Sequence, residues 1–129
     1  MIIRGNSHVD QRGSLSFFND FDMSQIRRFY SIQPDVGLIR AWQGHKLESK
    51  WFHVIKGSFR VKLRALETKE LVGEFKLNAQ CPEVLCIPKG VYNGFEALEE
   101  SSVLMVFSDA SLEQSVKDDY RTDTTDLPW

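Results

Sequence analysis

Short runs of β-forming residues, separated by turn residues, recur along most of the chain and constrain its fold more than any other feature. They occupy residues 14–19, 26–32, 37–42, 50–55, 58–65, 70–77, 84–87, 94–97 and 102–107. Many short strands without helices between them favour an antiparallel sandwich or barrel. A helix is expected only over residues 111–120, where Ser111 is a candidate N-cap. The pattern predicts an all-β domain with a short helix near its end.

The composition is that of one ordinary globular domain. Of the 129 residues, 42% are hydrophobic and 26% are charged, so a single domain spanning residues 1–129 is expected. The net charge is −2 and the basic residues are scattered, which argues against nucleic acid as a partner. No apolar run approaches the length of a membrane span, so we expect a cytoplasmic protein with no membrane partner. In that compartment Cys81 and Cys86 are expected to be free thiols.

Residues between positions 37 and 57 have the spacing of a metal-binding strand pair, but side chains that do not suit a metal. They are Gly37, Gln43, His45, Lys50 and Gly57. This spacing resembles the first cupin motif, Gly-x5-His-x-His-x4-Glu-x6-Gly, and Asn93 stands where a second cupin motif ends in His. The ammonium group of Lys50 offers no lone pair and repels a divalent cation. The resemblance implies a cupin jelly-roll β-barrel whose pocket holds no metal.

Alternation along the strand that begins at Lys50 indicates which side chains share this pocket. Lys50 lies on the same face as Phe52 and Val54, whereas His53 points to the opposite face. After an irregularity expected near Gly44, several polar side chains could converge on one concave site lined by aromatic residues such as Trp42. They are Arg40, Gln43, His45, Lys50 and Asn93. Two cations, one imidazole and two amides suit an anionic or carbonyl-rich ligand.

Three segments together carry a narrower resemblance. They are Asp10-Gln11-Arg12-Gly13-Ser14-Leu15, the stretch from Val36 to Lys46, and the turn from Pro88 to Phe95. In this order they resemble motifs of the cupin family that contains dTDP-4-dehydrorhamnose 3,5-epimerase and the dTDP-4-keto-6-deoxyglucose 3,4-ketoisomerases. The similarity extends from about residue 10 to residue 109. It implies a cofactor-free enzyme acting on a nucleotide-linked 4-keto sugar, and a homodimer in which the N-terminal segment crosses to the partner.

The same resemblance suggests roles for individual residues. Arg12 would bind the nucleotide diphosphate, and Lys50 and Arg40 would supply positive charge at the sugar. The chain departs from the epimerases at the catalytic base, where Gln43 stands in place of His, and at the general acid, where Met105 stands on the strand that carries Tyr. His45 matches the second His of the ketoisomerases' His-x-His pair.

The chemistry of these groups gives a hypothesis about mechanism. A proton next to a ketone becomes removable when cations hold the enolate oxygen, and an imidazole can carry that proton because it titrates near neutral pH. We expect Lys50 and Arg40 to provide the positive field and His45 to act as base or shuttle. Arg28-Phe29-Tyr30 resembles the Arg-x-Tyr strand of the ketoisomerases, which makes Tyr30 the candidate proton donor. Gln43, Asn93 and Trp42 are candidate substrate-binding residues.

Two alternatives to an isomerase or epimerase remain at this point. Loss of the epimerase base and acid at Gln43 and Met105 favours a catalytically inactive cupin that binds a nucleotide sugar or another carbohydrate. A metal-dependent cupin dioxygenase is disfavoured by the ligand positions. The aromatic Trp129 is expected to pack against the barrel or against a dimer partner.

Overall fold

A computed structural model describes residues 1–129, and almost all of its regular structure is β-strand. The strands are β1 Ile2–Arg4, β2 Asn6–Asp10, β3 Gly13–Phe17, β4 Arg28–Ile32, β5 Arg40–His45, β6 Lys50–Lys56, β7 Ser58–Ala65, β8 Leu71–Asn78, β9 Glu83–Ile87, β10 Val91–Ala97, β11 Val103–Ser108 and β12 Tyr120–Arg121, with one helix, α1 Leu112–Val116, before β12. The all-β class with a short helix is confirmed. The fold contains no helix with the length and apolarity that a membrane span requires.

Two five-stranded antiparallel sheets form the body of the domain. One has the order β1-β9-β6-β11-β4 and the other the order β12-β5-β10-β7-β8. The main core takes side chains from both sheets, among them Phe52 and Leu104 from the first and Phe59 and Val61 from the second. Each of these is at most 1% exposed, and burying a side chain of this size contributes about 2–3 kcal/mol. The sheets do not join into a closed barrel, so the jelly roll is a sandwich with open ends.

The strand β6 shows how the alternating pattern positions the site. Lys50, Phe52 and Val54 are buried, whereas Trp51 and His53 are only partly covered on the outer face. The predicted facing of this strand is therefore confirmed. Its first residue, Lys50, therefore places an ammonium group on the inward face of the sheet, the face that also carries Phe52.

The irregularity expected near Gly44 lies instead at Trp42. In the ladder between β5 and β10, Asn93 pairs with Gln43 and Gly94 pairs with Ala41, so Trp42 is the extra residue of a bulge. A bulge redirects side chains that strict alternation would place on opposite faces. Neighbouring residues of β5 therefore face the same side of the sheet.

Glycine at position 94 lets this bulge pack closely. A Cβ atom there would lie 2.7 Å from the Cβ of Ala41 and 2.8 Å from the ring of Trp129. The ring of Trp129 packs against that of Trp42 at a centroid distance of 5.4 Å. Trp129 thus packs against its own domain, which is one of the two positions expected for it.

Three strands were not predicted, and the helix is shorter than expected. β1, β2 and β12 are short or polar, so they lack the apolar alternation that marks a strand. The predicted helix over residues 111–120 ends at Val116, although Ser111 caps it as expected and forms a capping box with Gln114. Cys81 and Cys86 are free thiols, as predicted.

Candidate active site

A cavity of about 410 Å³ lies between the two sheets, and the helix α1 and the strand β12 cover part of its mouth. Its walls come from β4, β5, β6, β10 and β11. The lining residues are Arg28, Tyr30, Ile32, Arg40, Ala41, Trp42, Gln43, Lys50, Phe52, Asn93, Phe95, Val106, Leu112, Ser115, Val116, Asp119, Arg121 and Thr122. This volume is within the range of small-ligand sites.

Positive charge dominates the polar lining of the cavity. Four cationic side chains line it, from Arg28, Arg40, Lys50 and Arg121, against the single carboxylate of Asp119. The side chain of Lys50 is only 4% exposed, so its charge acts where water screens it little. The guanidinium of Arg40 lies 5.9 Å from the ring centre of Phe95, at the exposed start of β5. Such a lining attracts an anion or a group that develops negative charge.

The phenol of Tyr30 belongs to the same wall as Lys50. Tyr30 pairs with Val106 across the β4–β11 ladder, and both residues line the cavity. The Lys50 Nζ lies 5.9 Å from the centre of the Tyr30 ring, and the guanidinium carbon of Arg28 lies 5.2 Å from it. Met105, the residue at the acid position of the epimerases, is not among the lining residues, because its neighbour Val106 faces inward.

A buried carboxylate, Glu48, lies behind the cationic wall. Its Oε2 accepts a hydrogen bond from the Ser108 hydroxyl at 2.6 Å and lies 3.4 Å from Arg28 Nη2 and 3.9 Å from Lys50 Nζ. Its Oε1 lies 3.6 Å from the Nδ1 of His45. Sequence reasoning missed Glu48, although an acidic residue between two candidate site residues was the available signal. Glu48 holds Arg28 and Lys50 at the wall by attraction from behind.

His45 lies behind the same wall and does not line the cavity. It is 3% exposed, and its Nδ1–H donates to the backbone carbonyl of Asp118. Because a carbonyl only accepts, this contact places the proton of the neutral ring on Nδ1. The Nε2 is buried and has no hydrogen-bond partner in the protein. Glu48 therefore lies between His45 and the two cavity cations Arg28 and Lys50.

The carboxylate of Asp118 fixes the loop between β5 and β6. It accepts backbone N–H bonds from Lys46 and Leu47 at 2.8 Å each and from Glu48 at 3.0 Å. Burial by itself would raise the pKa of Asp118, but these three hydrogen bonds outweigh it and lower the pKa. The ionised carboxylate thus holds the loop that presents Glu48 and Lys50.

Gln43 links the cavity cation Lys50 to the carboxylate of Asp119. Its Oε1 accepts a hydrogen bond from Lys50 Nζ at 3.4 Å, and its Nε2 donates one to Asp119 Oδ1 at 3.0 Å. Arg121 Nε donates to Asp119 Oδ2 at 2.9 Å. Burial would raise the pKa of Asp119, but the hydrogen bonds from Gln43 and Arg121 outweigh it, so the pKa is lowered. Asn93 supports this arrangement by donating to the Gln43 carbonyl at 3.0 Å.

Arg12 lies on a different part of the molecule. The hairpin of β2 and β3 pairs with no other strand, and Arg12 is in its turn. Its side chain is 82% exposed and pairs with Asp10 at 2.7 Å. Hydrogen bonding to Arg12 lowers the pKa of Asp10. The groove beside Arg12 is separate from the main cavity.

The structure brings together six of the candidate residues named from the sequence. Tyr30, Arg40, Trp42, Gln43, Lys50 and Asn93 all line the cavity. His45 lies behind the wall, and Arg12 lies apart on the hairpin. Arg28, Glu48, Asp119 and Arg121 were missed. Arg28 lies in the predicted strand over 26–32, two residues before Tyr30, and Glu48 lies two residues before Lys50, so both were close to candidate residues. Asp119 lies at the end of the predicted helix over 111–120 and Arg121 follows it, with no pattern that assigns either to the site.

A two-sheet jelly roll with a polar cavity between its sheets defines a domain of the cupin class. The chain belongs to the WxcM-like, C-terminal family, FdtA, whose family model matches residues 1–127. Comparison with curated protein sequences finds no significant match.

Solved structures share this fold at low sequence identity. The rmlC epimerase of Mycobacterium tuberculosis is 18% identical with a TM-score of 0.80, over 99% of this chain and 72% of its own. A 3,4-ketoisomerase mutant from Thermoanaerobacterium thermosaccharolyticum, solved in complex with TDP-4-keto-6-deoxyglucose, is 22% identical with a TM-score of 0.75, over 95% and 86%. The dTDP-4-dehydrorhamnose 3,5-epimerase of Sulfolobus tokodaii is 20% identical with a TM-score of 0.79, over 99% and 79%.

Proposed function

We propose that the protein is an isomerase or epimerase that transfers a proton on a nucleotide-linked 4-keto-6-deoxy sugar in the biosynthesis of glycan precursors. The observation that carries this proposal is the shared cavity wall of Lys50, Arg40 and Tyr30, which combines buried positive charge with a phenol. The family match and the ligands in the names of the structural neighbours support the substrate class.

The proposed chemistry needs no redox step. A base removes the proton from a carbon next to the ketone, and the developing enolate oxygen is held by Lys50 and Arg40. Tyr30 then donates a proton to the neighbouring position or to the other face. The reaction also needs a proton acceptor that reaches the cavity. His45, the base candidate from the sequence, influences the cavity in this proposal through Glu48 and Lys50.

We also propose that the active unit is a homodimer in which Arg12 completes the partner's site. Support comes from the isolated β2–β3 hairpin, whose Val9 and Leu15 are 72% and 59% exposed. Arg12 would then bind the diphosphate of a nucleotide sugar in the partner's cavity, since guanidinium groups bind phosphate in a bidentate way.

The direct test follows deuterium uptake by proton NMR in deuterated water with dTDP-4-keto-6-deoxyglucose. The wild-type protein should exchange a proton on a carbon flanking the ketone. Lys50→Met should slow this exchange about 100- to 1000-fold, the usual cost of losing one group that stabilises developing charge. Lys56→Met, at the exposed end of the same strand, should exchange like wild type. Equal rates for both variants would remove Lys50 from the chemistry.

A specific observation favours a second candidate, a non-catalytic cupin that binds the same class of ligand. An amide occupies the epimerase base position at Gln43, and the imidazole of His45 lies outside the cavity lining. Absence of exchange in wild type, together with saturation-transfer signals from bound nucleotide sugar, would select this candidate.

A further inference from the structure

The cavity contains one group that is an ionised base at neutral pH. The other polar lining groups are one ammonium, three guanidinium groups, one phenol, amides and hydroxyls, none of which serves as a carboxylate-type base. Asp119 is the one carboxylate that lines the cavity. Resting on the proposed function, we propose that Asp119 is the general base that removes the proton next to the ketone.

The placement of Asp119 suits this role. It precedes β12, the short strand that pairs with β5 at Gly44 and Gln43. Gln43 and Arg121 orient its two oxygens at 3.0 and 2.9 Å, and the side chain remains 29% exposed. A carboxylate has about four lone-pair positions, so acceptor capacity remains for a proton from substrate. The group is therefore both fixed in orientation and accessible from the cavity.

This role explains why an amide occupies the position of the epimerase base. Gln43 cannot take a proton from carbon, but its amide bridges Lys50 and Asp119. One end contacts the cation proposed to hold the enolate oxygen, and the other end orients the carboxylate proposed to take the proton. The proposed base thus lies on the segment that precedes β12, and it is hydrogen-bonded to Gln43, the residue on β5 at the position of the epimerase base.

The step balances with the groups present. An Asp119 carboxylate oxygen forms an O–H bond to the proton, and the electron pair of the broken C–H bond becomes the C=C bond of the enolate. The π pair of the carbonyl moves to its oxygen, where Lys50 and Arg40 face the charge. For an epimerisation, Tyr30 gives a proton to the opposite face of the same carbon, after which Asp119 releases its proton to solvent and the phenolate takes one up. For a carbonyl migration, Asp119 gives the proton to the former carbonyl carbon, while the hydroxyl proton of the deprotonated carbon moves to the former carbonyl oxygen. Neither route needs an oxidant or reductant. Enzymes use carboxylates of nearly ordinary pKa in this way when donors hold the enolate oxygen.

The pH dependence distinguishes Asp119 from an imidazole base. Arg121 and Gln43 contact the carboxylate, Arg28, Arg40 and Lys50 line the same cavity, and His45 lies behind the wall. These neighbours keep Asp119 ionised, in line with its lowered pKa. Exchange should then stay within about twofold from pH 8 down to pH 5, whereas a base with the ordinary pKa of an imidazole would lose activity below about pH 6.5.

The deciding experiment measures solvent exchange and nucleotide-sugar binding for Asp119→Asn, Asp119→Glu and the control Asp126→Asn, an exposed carboxylate of the same segment. Asp119→Asn should lower exchange about 100- to 10,000-fold, with saturation-transfer binding retained. Asp119→Glu should recover part of the rate, and the control should match wild type.

Three outcomes overturn the inference. Wild-type exchange that persists at full rate in Asp119→Asn removes Asp119 while leaving the proposed function intact. A wild-type rate that falls below pH 6.5 assigns the base to an imidazole, and this measurement decides the matter even if Asp119→Asn fails to fold. Absence of exchange in wild type overturns the proposed function, and the base role with it.

Discussion

The carboxylate of Glu48 is almost fully buried and has polar partners on several sides. Ser108 donates to it, Arg28 and Lys50 face it with positive charge, and His45 lies against its other oxygen. Desolvation of these charges is costly, so the cluster stabilises the fold only as a complete set. The cluster also fixes position, because it holds Arg28 and Lys50 at the cavity wall.

Removing the charge of Glu48 should therefore be costly. We expect Glu48→Gln to lower the free energy of unfolding by about 3 kcal/mol, because the buried Lys50 and the partly covered Arg28 lose their counter-charge. Urea denaturation at pH 7 measures this change, with Glu100→Gln as a control at an exposed turn. A loss below about 0.5 kcal/mol would contradict the role of Glu48 as the centre of the cluster.

At the scale of elements, the loop of residues 46–49 is held by the segment that follows α1. Asp118 satisfies three successive backbone N–H groups of that loop. It works like a helix cap for a loop that is not helical, because each N–H would otherwise be left without a partner as the chain enters β6. Asp109 accepts the next N–H, from Ser49, at 2.8 Å, so the start of β6, and with it Lys50, depends on these two side chains.

The substitution Asp118→Asn tests whether this carboxylate holds the loop. An amide offers one acceptor oxygen and turns a donor toward backbone N–H groups, so we expect a loss of about 2–4 kcal/mol at pH 7. The lowered pKa sets the pH window. The wild-type advantage should be complete above the ordinary carboxyl pKa of about 3.9 and should vanish as pH falls through the lowered value. Urea midpoints of wild type and Asp118→Asn, measured from pH 7 to pH 2.5, give this difference in stability. A difference that stays constant with pH would contradict the role of an ionised Asp118.

The sequence predicted much of the sheet and part of the site, and the difference has a physical basis. Strands such as β6 and β7 were visible because their side chains alternate between core and surface, and β11 because it is a short run of apolar residues. The facing of Lys50 followed from the same period. The bulge at Trp42 was misplaced because a two-to-one pairing depends on the partner strand. Asp119 and Glu48 were missed because long-range packing, rather than a local pattern, brings them to the cavity.

At the scale of the whole molecule, the separation of Arg12 from the cavity makes the assembly testable. Arg12→Ala and Lys50→Met subunits should each form inactive homodimers. Heterodimers purified through two different tags should recover about half of the wild-type exchange rate, because one of their two cavities has both residues. Sedimentation of the variants checks that dimers form. Heterodimers without activity would place Arg12 and Lys50 in the same cavity of one chain, and active homodimers of either variant would remove that residue from the reaction.

The helix α1 contributes Leu112 and Val116 to the cavity lining, yet these side chains remain 66% and 69% exposed. They belong to neither hydrophobic core cluster, so exchanging them costs little folding free energy. The opposite wall, built on Phe52 and Phe95, cannot change so freely because it is the core itself. A change in sugar preference should therefore arise most readily by substitution on this helix. Such substitutions leave the reacting groups and the sandwich unchanged.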